Sequence, residues 1–451
     1  MFTQLLMTAA LVSGQAPAAP YPQAAFPTRP VIRQMPQDVP QQMPPTTATP
    51  APAAPAGPAT GPAAAPGDPA ASPAIKTDKE EPAAPAPTVY ALEKALTGTA
   101  LGTLLEKRGI KVNGWVEGSY NAGTASTSNA PVFMTDLANG FLLNQNYITI
   151  NKSVDTAKKE VQYGFGVDLI LPGSDVRTTL ARGLFDGQIT NPNHAPKLYP
   201  IDLFQAYGTV FLPNAGPQGT TVKVGRFATH LEYELVQAPD TPFITRSMLF
   251  QYNPFTHTGA WAITPLSDDW TISNGIATGN DIFIDQAAQP TYLGQLKYAP
   301  KDGKTQVLLG TSLTSPRYNE RLNFNQYNVY NLQVIQKLSD KLTYVLDTSF
   351  SHEDNIPDVG SANWYGAVQY LLYAHTDKVS SNFRFELFED SKGVRTGTAG
   401  LYTGLTYGIT YKPNDSVIIR PSVLYMNNNR NNPFEGSQNL VTASIDLILR
   451  Y

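Results

Sequence analysis

The chain has 451 residues, no cysteine, 34 glycines, 38 prolines and a formal net charge of −4, and only 15% of its residues are charged. Ordinary soluble domains carry roughly 25% charged residues; here Asn, Thr, Gln, Ser, Gly and Tyr fill the deficit. These numbers exclude a disulfide scaffold, a thiolate metal site and a cysteine nucleophile. They also argue against a nucleic-acid partner, and no apolar run is long enough for a transmembrane helix.

Residues 1–16, "MFTQLLMTAALVSGQA", read as a signal peptide. An apolar core runs from Leu5 to Val12, and the small residues Ser13, Gly14 and Ala16 mark a cleavage region, although no Lys or Arg precedes the core. Twenty of the 38 prolines fall in the first 90 residues. Residues 17–89 are therefore expected to be a disordered Pro/Ala-rich spacer of polyproline II character, because they cannot bury enough surface to offset their ordering entropy. Behind a leader this arm would lie in the periplasm, free to contact peptidoglycan. Over 90–108, Leu92, Leu96, Leu101, Leu104 and Leu105 recur at helical spacing, which predicts a short amphipathic helix weakened by Gly98 and Gly102.

From 109 to 451 the period changes to two. Val161, Tyr163, Phe165, Val167 and Leu169 alternate with Gln162, Gly164, Gly166 and Asp168. Val441, Ala443, Ile445, Leu447, Leu449 and Tyr451 alternate with Thr442, Ser444, Asp446, Ile448 and Arg450. Several such runs reach the roughly 9–11 residues that a tilted strand needs to cross a bilayer. Strands are expected at 111–120, 144–152, 160–171, 203–211, 221–228, 257–265, 270–277 and 291–299. They continue at 305–313, 326–338, 341–351, 363–374, 379–389, 399–412, 416–426 and 439–451. Short connections such as "KPND" and "SD" alternate with long ones such as "SHEDNIPDVGSA" and "NNNRNNPFEGSQ". This asymmetry predicts an all-β fold, a transmembrane antiparallel β-barrel of about 16 strands within a range of roughly 12–18. Boundaries between 233 and 290 are the least defined, because Pro239, Pro242, Pro254 and Pro265 interrupt the pattern.

Three blocks carry a family likeness: "GIKVNGWVEGSYNAG" (109–123), "GFGVDLILPGSDVR" (164–177) with "IDLFQAYGTVFLP" (201–213), and "VGRFATHLEYE" (224–234) leading to "FQYNPFTHTGAW" (250–261). Over 109–451 the chain resembles the OmpL-like, type-2 outer-membrane β-barrel porins. The resemblance implies an outer-membrane pore and no shared enzymatic residues. The closing Tyr451 is similar to the C-terminal aromatic signal read by the barrel-assembly machinery, with Tyr where Phe is commoner.

No catalytic, metal or cofactor site is expected. Of the five histidines, His194, His230, His257, His352 and His375, none has the spacing of a metal pair, and all read as rim or loop residues. Glu232 and Glu234 read as a solvated acidic loop, and Asp281 and Asp285 lack the glycine and closing glutamate of a calcium loop. A Ser267–His257–Asp triad fails because the "LSDD" turn and His257 fall at opposite ends of one strand. In this register the candidate pore-lining residues are Asp168, Arg384, Glu386, Arg420, Asp446 and Arg450. The function expected is passive diffusion of small hydrophilic solutes across the outer membrane, whose lipid would surround the wall. The alternatives are a plugged structural or surface-binding barrel, closed by the 90–107 helix and the loop after Leu171, and a substrate-specific channel.

Overall fold

The computed structural model describes residues 90–191, 194–315 and 325–451; the expected leader and Pro/Ala-rich arm lie outside the described residues. Each alternating run forms a strand: β1 (Lys111–Gly123), β2 (Gly140–Lys152), β3 (Gln162–Ile170), β4 (Asp202–Leu212), β5 (Thr220–Ala228) and β6 (Thr256–Pro265). β7 (Trp270–Ala277), β8 (Thr291–Tyr298), β9 (Thr305–Thr314), β10 (Asn328–Lys337) and β11 (Leu342–Ile356) follow. The last five are β12 (Gly360–Thr376), β13 (Val379–Asp390), β14 (Gly400–Asn414), β15 (Val417–Asn428) and β16 (Asn439–Arg450).

Every strand pairs antiparallel with its chain neighbours, and β1 pairs with β16 from Trp115↔Arg450 to Gly123↔Thr442, which closes the sheet. The result is the expected 16-stranded antiparallel barrel. Closure removes the exposed strand edges that an open sheet of this size would carry. Because side chains alternate, one face of each strand must point out. On β14 those are Leu405, Tyr407, Ile409 and Tyr411, all exposed; on β16 they are Val441, Ile445, Leu447 and Leu449. The inward positions carry Thr406, Thr410, Thr442, Ser444 and Asp446, all buried. An apolar exterior around a polar interior fits an outer-membrane location.

Two local expectations are corrected. The long loop expected after Phe350 is instead strand: β11 runs to Ile356 and β12 begins at Gly360, so only 357–359 connect them. Polar cross-strand contacts sustain this hairpin, with His352 Nδ1 and Asn363 Oδ1 2.6 Å apart and Ser361 Oγ donating to Asp354 Oδ1 at 2.5 Å. The single helix expected over 90–108 is two, α1 (Ala91–Leu96) and α2 (Ala100–Arg108), separated where Gly98 adopts φ +78°. No residue of either helix is buried. They sit at the short-turn rim, where the Arg450 guanidinium lies 4.4 Å from the ring centre of Tyr90.

Candidate functional site

The connection between β5 and β6, residues 229–255, folds into the barrel. Its prolines at 239, 242 and 254 prevent it from continuing as strand, and it carries the short helix α3 (Met248–Tyr252), where Ser247 Oγ accepts from Phe250 N at 3.2 Å. Over 231–239 the chain is irregular, with Glu232 at φ +76° and a 3-10 turn beginning at Ala238, yet burial alternates along it. Leu231, Glu232, Glu234, Val236 and Ala238 are buried, whereas Tyr233, Leu235, Gln237 and Pro239 keep partial access.

The loop is tied to the wall on β2, β15, β13 and β11. Gln145 Nε2 donates to Val236 O at 2.7 Å, and Arg420 Nη1 donates to Ala238 O at 2.8 Å and Thr241 O at 2.6 Å. Tyr233 N donates to Asp347 Oδ2 and Met248 N to Glu386 Oε2, each at 2.7 Å. Asn253 Nδ2 donates to Ser349 Oγ at 2.8 Å and to Glu232. Apolar packing adds to this: Phe243, Met248, Leu249 and Tyr252 join inward side chains Val345, Trp364, Val368, Tyr370 and Leu424 in one cluster. These bonds satisfy much of what loop and wall remove from water, the condition for burying polar groups, while Trp364 Nε1 and Tyr370 OH are buried without a hydrogen-bond partner.

Two ionic clusters anchor the loop. Arg420 pairs with Asp446 at 2.5 Å and with Glu117 at 2.9 Å. Arg384 pairs with Glu234 of the loop at 3.0 Å and with Glu386 at 3.2 Å, and also donates to Thr245 O at 2.8 Å. Space for Glu386 exists because position 404 is glycine; a Cβ there would stand 2.5 Å from Glu386 Cγ. Arg246 turns back on its own loop, donating to the carbonyls of Leu235, Phe243 and Ile244. Glu232, beside Asp347 and Glu234, is held well above the usual carboxylate range, first by burial and then by those negative neighbours.

Of the residues expected along the lumen, Asp168, Arg384, Glu386, Arg420 and Asp446 all point inward and are buried, most of them by this loop. Asp168 accepts from Tyr147 OH at 2.7 Å and Gln205 Nε2 at 2.5 Å. Arg450 is half-buried at the short-turn rim. Glu232 and Glu234 are not a solvated acidic loop: both are buried anchors. His230 and His257 also meet inside, their rings 5.7 Å apart with His230 stacked on Trp261 at 4.6 Å. Burial and the neighbouring His257 push His230 down to about 3. Asp281 accepts from the amides of Phe255 and Thr256 at 2.9 Å, and Asp285 pairs with Arg182 at 3.1 Å, so both hold loops together. Sequence spacing could not expose these contacts, since their partners lie on elements far apart in the chain.

The inward positions of β4 to β10 are buried along much of their length, as at Trp261, Ser273, Leu293, Asn331 and Gln333, and the loop reaches this wall too: Gln295 Nε2 donates to His230 O at 2.8 Å, and His230 Nε2 lies 3.0 Å from Thr311 O. Tyr207, Ile263, Thr271, Gln295, Lys297, Gln306, Ile335 and Lys337 are half-buried, toward the short-turn ends of their strands. The interior is therefore filled most densely against β11–β16 and β1–β2, and its more open sector is the short-turn half of β4–β10.

The chain is similar in fold to two solved structures. One is an anion-selective porin from Comamonas acidovorans, 10% identical, covering 76% of this chain and 99% of that one with a TM-score of 0.51. The other is OprB of Pseudomonas putida, 9% identical, covering 78% and 96% with a TM-score of 0.50. No curated protein matches the chain. The family model described as "Putative beta-barrel porin-2, OmpL-like" matches residues 109–451, and the chain belongs to that family.

Proposed function

We propose that the protein is an outer-membrane diffusion channel for small hydrophilic solutes, narrowed by the inward loop 229–255. The observation that carries this reading is the inward loop itself. It is bonded chiefly to one wall, while inward side chains of β4–β10 toward the short-turn rim keep partial access to solvent. Such a division constricts a lumen without filling it, and a polar, partly charged wall then sets which solutes pass. The short-turn rim, which holds Tyr90 and both helices, would face the periplasm, as in bacterial barrels with short periplasmic turns.

The absence of cysteine permits a direct test. A Gln295→Cys variant places one thiol on the open sector, and an Ile445→Cys variant places one on the lipid face. In planar bilayers the wild type should show discrete open steps. A bulky water-soluble thiol reagent should reduce the current through Q295C and leave I445C unchanged. Silence from verified, inserted protein would refute the channel and favour a structural or surface-binding barrel.

A further inference from the structure

Six consecutive strands, β5 to β10, contain no Asp or Glu at any position. Their charged residues other than histidine are Lys223, Arg226, Lys297 and Lys337. The register turns the three lysines inward. Lys223 pairs across the sheet with Trp261, a buried interior residue, and its Nζ lies 4.8 Å from the ring centre of Tyr207. Lys297 stands opposite the buried Leu308, and Lys337 continues the inward series Val329, Asn331, Gln333 and Ile335 of β10. All three fall toward the short-turn ends of their strands. Among the described residues, neither Lys297 nor Lys337 forms an ion pair.

Most carboxylates of the interior lie on the other side behind the loop; Asp202 of β4 and Asp281 are buried too, held by Arg226 at 2.7 Å and by the amide of Thr256 at 2.9 Å. Glu117, Glu234, Asp347, Glu386 and Asp446 are each at most 3% exposed, and each is bonded to an arginine, an amide or both. Asp240 at the tip of the loop is the exposed exception, and it has the positive Arg450 and Lys412 for neighbours. Lys223 is buried, so the ammonium groups that meet water in the open sector are those of the half-buried Lys297 and Lys337, while the interior carboxylates are withdrawn behind packed side chains. A narrow wet path beside low-dielectric protein focuses the field of such fixed charges.

We infer that the open sector favours anions, with Lys297 and Lys337 as selectivity-setting residues, an inference that rests on the channel reading above. Small carboxylates, phosphate and chloride share the chemistry that would be favoured.

The test uses the full chain in planar bilayers under a potassium chloride gradient, with the zero-current potential as readout. Chloride should permeate at least about threefold better than potassium, from the field of the wall lysines. The K297Q/K337Q variant should lower that ratio at least about twofold, while K158Q, on an exposed turn, should not change it. A wild type that conducts with a ratio at or below one overturns the inference and leaves the channel standing. An unchanged ratio in K297Q/K337Q overturns it too, because the selectivity would then arise elsewhere. Silence from inserted protein overturns both. Should the double variant fail to assemble, K337Q alone, at the strand end, is read in the same way, and the wild-type ratio still decides.

Discussion

Arg420 of β15 and Glu117 of β1 lie 303 residues apart in the chain and meet at 2.9 Å inside the barrel, with Asp446 of β16 between their strands as the second acid. The guanidinium is shared: Nη2 serves the two carboxylates, and Nη1 serves the loop carbonyls of Ala238 and Thr241. One side chain therefore joins the barrel seam to the constriction.

Replacing Arg420 by Gln should separate these roles. Two buried acids lose their counter-charge, which costs about 3–5 kcal/mol when one partner of a buried pair is removed. The sheet's hydrogen bonds remain, so heat-modifiable gel migration should persist while single-channel current becomes noisier and larger as the loop loosens. Quiet, wild-type-sized steps would show that Arg420 does not hold the loop.

Glu232 predicts a pH dependence of opposite sense to that of an ordinary ion-paired carboxylate. Its value in the folded state is raised by burial, by Asp347 and by Glu234, so folding favours the protonated form. That contribution carries no penalty at low pH and becomes destabilising as pH rises from the ordinary carboxylate value through the raised one. Conductance should therefore grow toward alkaline pH as the loop detaches. E232Q keeps an acceptor for Asn253, cannot ionise, and should flatten the profile; a slope equal to the wild type's would assign the titration to another group.

Glu435 shows the reverse case. Thr127 Oγ1 donates to its carboxylate, as do the amides of Ser126, Thr127 and Ser128, and together these lower it from 4.5 to about 2. The depressed value makes its tie between loops 124–139 and 429–438 complete above 4.5 and lost as pH falls through about 2. E435A should expose the 124–128 segment to protease at neutral pH while leaving the barrel resistant. Equal cleavage of E435A and wild type would mean that other contacts hold this loop.

The N-terminal composition predicts a further outcome. Limited proteolysis should remove the Pro/Ala-rich arm and leave a resistant fragment that begins near Tyr90, identified by its N-terminal sequence. A resistant fragment beginning near residue 20 would show that the arm packs.

Alternation alone made the wall legible. In a strand the side-chain period is two, so a run such as Leu342, Tyr344, Leu346, Thr348, Phe350 against Val345, Asp347, Ser349 fixes both its conformation and which face meets lipid. Sixteen such runs, together with alternating connection lengths, specified a closed barrel and the inward direction of Asp168, Arg384, Glu386, Arg420 and Asp446. The polar 351–362 stretch misled because strand pairing can continue past the apolar belt wherever cross-strand partners such as His352 and Asn363 exist.

Only the tertiary structure decided what fills the lumen. A loop with Glu232, Glu234, Arg246 and three prolines has the same composition whether it folds outward into water or inward, and no local period distinguishes the two. Inward folding requires a carboxamide, carboxylate or guanidinium waiting at each point of contact, and these come from β2, β8, β11, β13 and β15, brought together by barrel closure. The same closure buries the acids of one side behind the loop and leaves Lys297 and Lys337 beside water on the other. That asymmetry depends on which strands face each other across the lumen, a relation between distant elements that no single stretch of sequence encodes.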